Sequence, residues 1–228
     1  MWKANILTLL PDLYPGPLEH SIIGDARKKG IWDFTVVDIK SFVIDNKRAD
    51  DRPFGGGPGM ILKPEVVHNA IESLNINEFP IFYLSPRGKK FDSKLSKELS
   101  KIKGATFLCG RYEGIDERVI KHHQMIELNI GDYILTGGDL AAMIVIDSVV
   151  RMLPNVLGNP LTLIEETFNN NLLEYPLYTQ PREWKNYKVP EILLSGNHEK
   201  IKNWKIKQSE AITMQRRPDL WKKYLNLK

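Results

Sequence analysis

The sequence predicts an α/β protein, with a mostly parallel sheet covered by helices on both faces and a small all-α domain after it. Three observations carry this expectation. Strand-length apolar runs alternate with helix-length runs through the first two thirds of the 228 residues, the pattern of parallel α/β sheets. Within Phe107–Met143, two short apolar segments each run into a loop of glycines and carboxylates that opens a helix-like stretch. From Pro190 onward the pattern turns helical and basic.

Taken in order, Ala4–Leu10 reads as a buried strand, followed by a turn carrying Pro11, Pro15, Gly16 and Pro17. Leu18–Lys29 has helical spacing, and Phe34–Ile39 is a second strand. Asp45–Gly59 (DNKRADDRPFGGGPG) is too rich in charge, proline and glycine for either and reads as a long loop, a type of segment that often carries function. Lys63–Leu74 is a helix with Pro64 in its first turn, where a missing N–H is tolerated. Phe79–Leu84 is a strand that SPRGKK ends, Leu95–Lys101 is helical, and Thr106–Cys109 is a buried strand broken by Gly110. The apolar segment Ile130–Leu135 leads into Thr136–Asp139. Leu140–Leu153 then has almost no polar residue before Asp147, so it must be buried on most sides.

A polar connection from Gly158 to Asn171 reads as interdomain. The expected division is a first domain over 1–158, a linker over 159–172 and a helical domain over 173–228. In the last of these, Asn197 is a plausible N-cap for a helix carrying Ile201, Trp204 and Gln208 on neighbouring turns. Arg216, Arg217 and Pro218 introduce a final short helix. At such spacing Trp184, Trp204 and Trp221 read as small-domain core, with base stacking as the alternative.

With 42% hydrophobic and 26% charged residues, the composition is that of an ordinary globular protein. No run of about 18 apolar residues occurs, and prolines interrupt MWKANILTLLPDLYPG before a signal-type core is complete. A cytoplasmic protein without a membrane partner is therefore expected. The single Cys109 excludes an intramolecular disulfide and reads as a buried strand-end thiol. No Cys/His cluster has zinc spacing, so no metal ligand is assigned, and His122 and His123 read as a solvated helix face. The net charge of +4 is uneven: Arg182–Lys228 holds 12 Lys or Arg against 5 Asp or Glu, and the rest holds 20 against 23. A basic end on a near-neutral body suits a polyanionic partner, the plainer reading being solvated helix faces.

Glycines at strand ends serve turns as often as ligands, yet two such loops close together suit a binding pocket. Neither G-x-x-x-x-G-K-[ST] nor G-x-G-x-x-G occurs. The pocket therefore suits a nucleoside or another neutral or cationic ligand better than a phosphate.

At these loops the sequence resembles a known family. CGRYEGIDER, IGDYILTGGDL, the earlier DDRPFGGGPGM and YLSPRGKK, and the later LLSGNH closely resemble the bacterial tRNA (guanine-37-N1)-methyltransferases, the TrmD family of the SPOUT superfamily. The match is in order and spans nearly the whole chain. The resemblance implies a C-terminal trefoil knot in the α/β domain, whose loops form an S-adenosylmethionine site. It also implies a homodimer with composite active sites, binding to the anticodon stem-loop of tRNA, and Mg2+ as an assisting ion.

Carried over residue by residue, the cofactor positions are Tyr83, Leu84, Ser85 and Pro86 in a first loop. Gly110, Tyr112, Glu113 and Gly114 form a second loop, and Ile130, Gly131, Tyr133, Leu135, Gly137 and Gly138 a third. In the long loop Asp50, Arg52 and Gly59 become candidates for receiving the RNA and its target base, and Arg182, Lys205, Lys207, Arg216 and Arg217 for contacting tRNA phosphates. Arg151 matches the family arginine at the guanine. Glu166, in Glu165-Glu166-Thr167-Phe168, stands where the family has its general-base aspartate and is one methylene longer. Glu174 and Gln180 likewise replace an expected aspartate and arginine.

Overall fold

In the computed structural model, residues 1–44, 48–74, 79–158 and 167–227 are described. The chain divides into two compact units, Met1–Gly158 and Asn159–Lys228.

The first unit is built on five parallel strands in the order β2-β1-β6-β5-β7: β1 (Trp2–Thr8), β2 (Trp32–Asp38), β5 (Ile81–Lys90), β6 (Gly104–Leu108) and β7 (Ile126–Asn129). Two further strands, β3 (Asp50–Asp51) and β4 (Ile61–Leu62), form a short antiparallel pair that closes the base of the long loop. Strand side chains alternate between faces, and the core divides accordingly. Ala4, Ile6, Phe82, Leu84, Ala105 and Phe107 lie in one cluster with residues of α1 (Ser21–Lys28), α3 (Ser93–Leu99) and α5 (Asp139–Val150). Leu7, Tyr83 and Leu108 lie in the other with α2 (Pro64–Glu72) and α4 (Glu117–His122). The buried indoles are satisfied, Trp2 Nε1 donating to Leu99 O at 3.1 Å and Trp32 Nε1 to Ile23 O at 2.8 Å.

Two expectations need correction. SPRGKK does not end the third strand: β5 pairs Leu84 with Leu128, loops out, and resumes with Lys89 opposite the same Leu128. Gly88 permits this because its backbone lies directly on Glu127 and Leu128, where a Cβ would collide; the excursion leaves Ser85 and Pro86 beyond the regular ladder. The last sheet strand is Ile126–Asn129, and Ile130–Leu135 is irregular loop with Ile134 79% exposed. Helix α5 is buried through Ala141, Ala142, Val145, Ile146, Val149 and Val150, but Leu140 and Ile144 are 55% and 48% exposed one turn apart.

The second unit is not all helical. A two-residue ribbon, β8 (Glu183–Trp184) with β9 (Tyr187–Lys188), precedes α6 (Glu191–Leu194), α7 (His198–Arg216) and α8 (Pro218–Leu225). Lys185 and Asn186 make its turn with positive φ of 47° and 67°, the geometry that suits a two-residue hairpin. Trp184 and Tyr187 therefore stand exposed on the ribbon, and Trp184 is not core. Asn197 caps α7, its side chain accepting from Lys200 N at 3.0 Å. Thr213 Oγ1 donates to Ser209 O and accepts from Leu173 N at 2.8 Å, fixing the segment before the ribbon to α7. Most of the expected 159–172 linker, including Glu166, lies outside the described residues. No described helix is long and apolar enough to cross a membrane.

Candidate active site

In open α/β sheets, ligands bind beyond the carboxyl ends of the strands. Here the ends of β5, β6 and β7 converge on a cleft of about 250 Å³. Its first wall is Tyr83, Leu84, Ser85 and Pro86, from the end of regular β5 and the excursion. Its second is Gly110–Gly114 after β6, and its third Leu128–Ile130 and Tyr133–Gly138, from the end of β7 to the start of α5, with Ala141 behind.

Glycine is required where the walls meet. Gly138 N–H donates to Gly110 O at 2.9 Å. A Cβ on Gly138 would lie 2.9 Å from Cys109 Cα, and one on Gly110 would lie 2.8 Å from the Tyr83 ring. Gly131 lies under the Tyr133 ring with no room for a side chain, and its N–H donates to Asn129 Oδ1 at 2.7 Å. Gly114 holds φ +124°, with its missing Cβ facing the Tyr83 hydroxyl. Burial pushes that hydroxyl's pKa up, Glu127 adding to the effect and Arg87 opposing it. Tyr83 is thus a neutral wall of the cleft.

Beneath the third wall lies a buried polar knot. Thr8 Oγ1 donates to Asp139 Oδ1 at 2.5 Å and the Tyr14 hydroxyl donates to the same oxygen at 3.3 Å, while Asp139 Oδ2 has no hydrogen-bond partner among the described residues. Cys109 is fully buried, and burial, reinforced by Asp139, pushes its thiol pKa up. Such a thiol is inert.

A second pocket of about 490 Å³ shares Tyr83, Ser85, Pro86, Glu113 and Gly114 with the first. Pro53 and Phe54 of the glycine loop, Ile61, Arg87 and residues 115–117 complete it. The loop is tied down by Glu113 N–H donating to Met60 O at 3.0 Å and Leu62 N–H donating to Gly114 O at 3.0 Å. Gly59, at φ +84°, lies against the Glu113 side chain so closely that a Cβ would collide with it. Phe54 is 96% exposed at the tip.

Of the fourteen positions named for the cofactor, all but Gly131 line the one cleft; Gly131 supports Tyr133 from below. Sequence reasoning missed Arg111, Ile134 and Thr136, which sit among the named residues, and Leu128, Asn129 and Ala141, which no glycine signal marked. Arg151 caps α5, its N–H donating to Asp147 O at 3.1 Å. Desolvation raises the Asp147 pKa, and the Arg151 charge offsets part of that rise. Asp50 is buried in a bidentate pair with Arg48, both bonds at 3.0 Å, and so is committed to the loop's base. Arg52 and Gly59 lie in the exposed part of the same loop.

In the second unit Arg182, Lys207 and Arg216 are exposed, and the Lys205 ammonium sits over the Tyr175 ring at 4.5 Å. Arg217 instead pairs through both arms with Asp219, at 2.8 and 2.6 Å, holding the start of α8. That pair depresses the Asp219 carboxyl to about 2.

A family profile described as tRNA (Guanine-1)-methyltransferase TrmD matches residues 2–223. A protein of Pelagibacter ubique named tRNA (guanine-N(1)-)-methyltransferase is 52% identical over 225 residues, covering 98% of this chain and 99% of the relative. Proteins of the same name from Rhodospirillum rubrum and Ehrlichia canis are each 49% identical, covering 98% and 96% of this chain and 94% of each relative. A chain matched from end to end, with the glycine-joined cleft at the ends of three parallel strands, belongs to the tRNA (guanine-1)-methyltransferase TrmD family.

Proposed function

We propose that this protein transfers a methyl group from S-adenosylmethionine to N1 of guanosine at position 37 of tRNA, next to the anticodon. The observation that carries the reading is the convergence of three loops on one cleft shared with the pocket beneath the glycine loop, in a chain of this family. The relatives' printed name supports the reaction type and the guanine N1 target.

The cleft suits the cofactor. Leu84, Ile130 and Leu135 offer apolar cover for a flat ring, and the close-packed backbone of Gly110, Gly137 and Gly138 offers polar edges without side chains. Glu113 offers a carboxylate to a cationic ligand, between the two pockets. S-adenosylmethionine supplies an electrophilic methyl group. In this reading the SPOUT trefoil knot makes the three walls one rigid frame. Holding reactants in line is worth on the order of 7 kcal/mol or more in favourable cases.

The remaining chemistry belongs to guanine. Glu166 takes the N1 proton, a role typically worth about 10²- to 10⁴-fold, and Arg151 stabilises negative charge on O6. Arg182, Lys205, Lys207 and Arg216 neutralise tRNA phosphates while the base is extruded into the pocket beside Phe54. Two copies complete each site, and the exposed Leu140 and Ile144 on α5, with Ile134 nearby in sequence, supply apolar surface for that pairing. The enzyme works in the cytoplasm. Mg2+ stays an assisting ion with no step assigned to it, of the kind held by one or two carboxylates, waters and substrate phosphates rather than by a protein cage.

Glu166→Gln tests the base. Turnover should fall by about 100-fold or more while S-adenosylmethionine affinity stays within error of the parent. Normal turnover in that variant would place the base elsewhere.

A further inference from the structure

The fold brings together three histidines that the sequence separates. His68 lies on α2, and His122 and His123 end α4. His68 Nδ1 is 2.9 Å from His123 Nε2, and one nitrogen from each of the three rings falls within 4.8 Å of the others. The ring centroids are 4.8 to 5.3 Å apart. None of the three lines either pocket. Helix α4 spans the distance between, its first residue Glu117 lining the second pocket and its last turn carrying the histidines.

We propose that His68, His122 and His123 form a binding site for a divalent transition-metal ion of the Zn2+ type, separate from the active-site cleft. Imidazole nitrogen is a preferred donor for such ions. A tetrahedral Zn2+ with Zn–N of about 2.0–2.1 Å holds its nitrogens roughly 3.4 Å apart. The present spacings bracket that value, so small ring rotations close the set, with a fourth position left for water.

The platform is rigid where it must be. Val67, Ala70 and Ile71 of α2 pack in one buried cluster with Val119 and Ile120 of α4. The end of α4 is fixed by a Schellman cap: Met125 N–H donates to Ile120 O at 3.0 Å and Gln124 N–H to Lys121 O at 3.2 Å, with Gln124 at φ 48°. That cap sets His122 and His123 side by side at a helix C-terminus, which favours cations. His122 is exposed and can turn inward.

The test is titration of the untagged full chain with ZnCl₂ by calorimetry, and with CoCl₂ by the visible absorption of tetrahedral cobalt. One equivalent of each should bind, and Zn2+ should displace Co2+. Loss of an outer-shell partner costs about 10- to 100-fold in metal affinity, so His122→Ala, an exposed position that the fold tolerates, should cost at least that much. His68→Gln and His123→Gln should do the same. His20→Gln and His198→Gln, the remaining histidines of the chain, should bind as the parent does. Absence of a one-equivalent site, or a site untouched by His122→Ala or by replacing all three histidines together, overturns the proposal.

Discussion

Gly138 N–H donates to the Gly110 carbonyl at 2.9 Å, so the loops after β6 and β7 share a backbone hydrogen bond at the floor of the cleft. Each glycine is there because no Cβ fits: at Gly138 it would press on Cys109 Cα and Gly110 N, backbone atoms that cannot rotate away. Gly138→Ala should separate the two loops. We expect a loss of about 1–3 kcal/mol in stability, typical of overpacking, and a drop in S-adenosylmethionine affinity of about tenfold or more, since 1.4 kcal/mol is tenfold. Thermal unfolding and calorimetry read these separately.

Gly59 and Glu113 are coupled in the same way, but here the neighbour is a side chain. Gly59→Ala adds a collision with Glu113 to the strain of φ +84°, itself about 1–2 kcal/mol for a residue with a Cβ. Adding Glu113→Ala should relieve the collision and leave the strain. The double-mutant cycle should therefore give a coupling of about 0.5–3 kcal/mol of compensating sign; simple additivity would contradict the contact.

Asp50 gives a pH signature. Its carboxyl is held below the ordinary value, first by the hydrogen bonds from Arg48, against an opposing burial effect. A depressed carboxylate pKa means that the folded state releases its proton more readily than the unfolded chain. The stabilisation is thus present above the unfolded pKa and is lost as pH falls through the folded one. Asp50→Asn should cost about 1 kcal/mol at neutral pH, a modest figure because Arg48 is exposed. Parent and variant should converge in denaturant titrations carried down through the carboxylate range.

Arg216 and Arg217 adjoin in sequence but differ in environment, one exposed and the other forked onto Asp219. If the basic helices bind tRNA phosphates, Arg216→Ala should lower the slope of log affinity against log salt by about 1. Arg217→Ala should change that slope less and instead loosen the start of α8, visible as a lower melting temperature of the second unit.

The parallel sheet was legible because its strands are short apolar runs punctuated by glycine and proline, and Gly110, Gly137 and Gly138 marked the cleft by the same signal. The excursion at Ser85–Gly88 was not, since both halves of β5 read as extended and only the shared partner Leu128 reveals the gap. Nor was the engagement of Asp50 and Arg217, whose partners two residues away could equally have pointed outward. The exposed side of α5 is not legible in the sequence because Leu140 and Ile144 are apolar like the buried residues around them. The histidine cluster was invisible for a different reason: His68 and His123 are 55 positions apart, and only the packing of α2 against α4 joins them.

The most direct measurement is transfer of a labelled methyl group from S-adenosylmethionine to two tRNA transcripts that differ only at position 37, guanosine in one and adenosine in the other. Label is expected on the guanosine transcript alone, recovered after nuclease digestion as 1-methylguanosine. Label on both, or on neither while the cleft still binds the cofactor, would contradict the proposed function and assign the enzyme another RNA site.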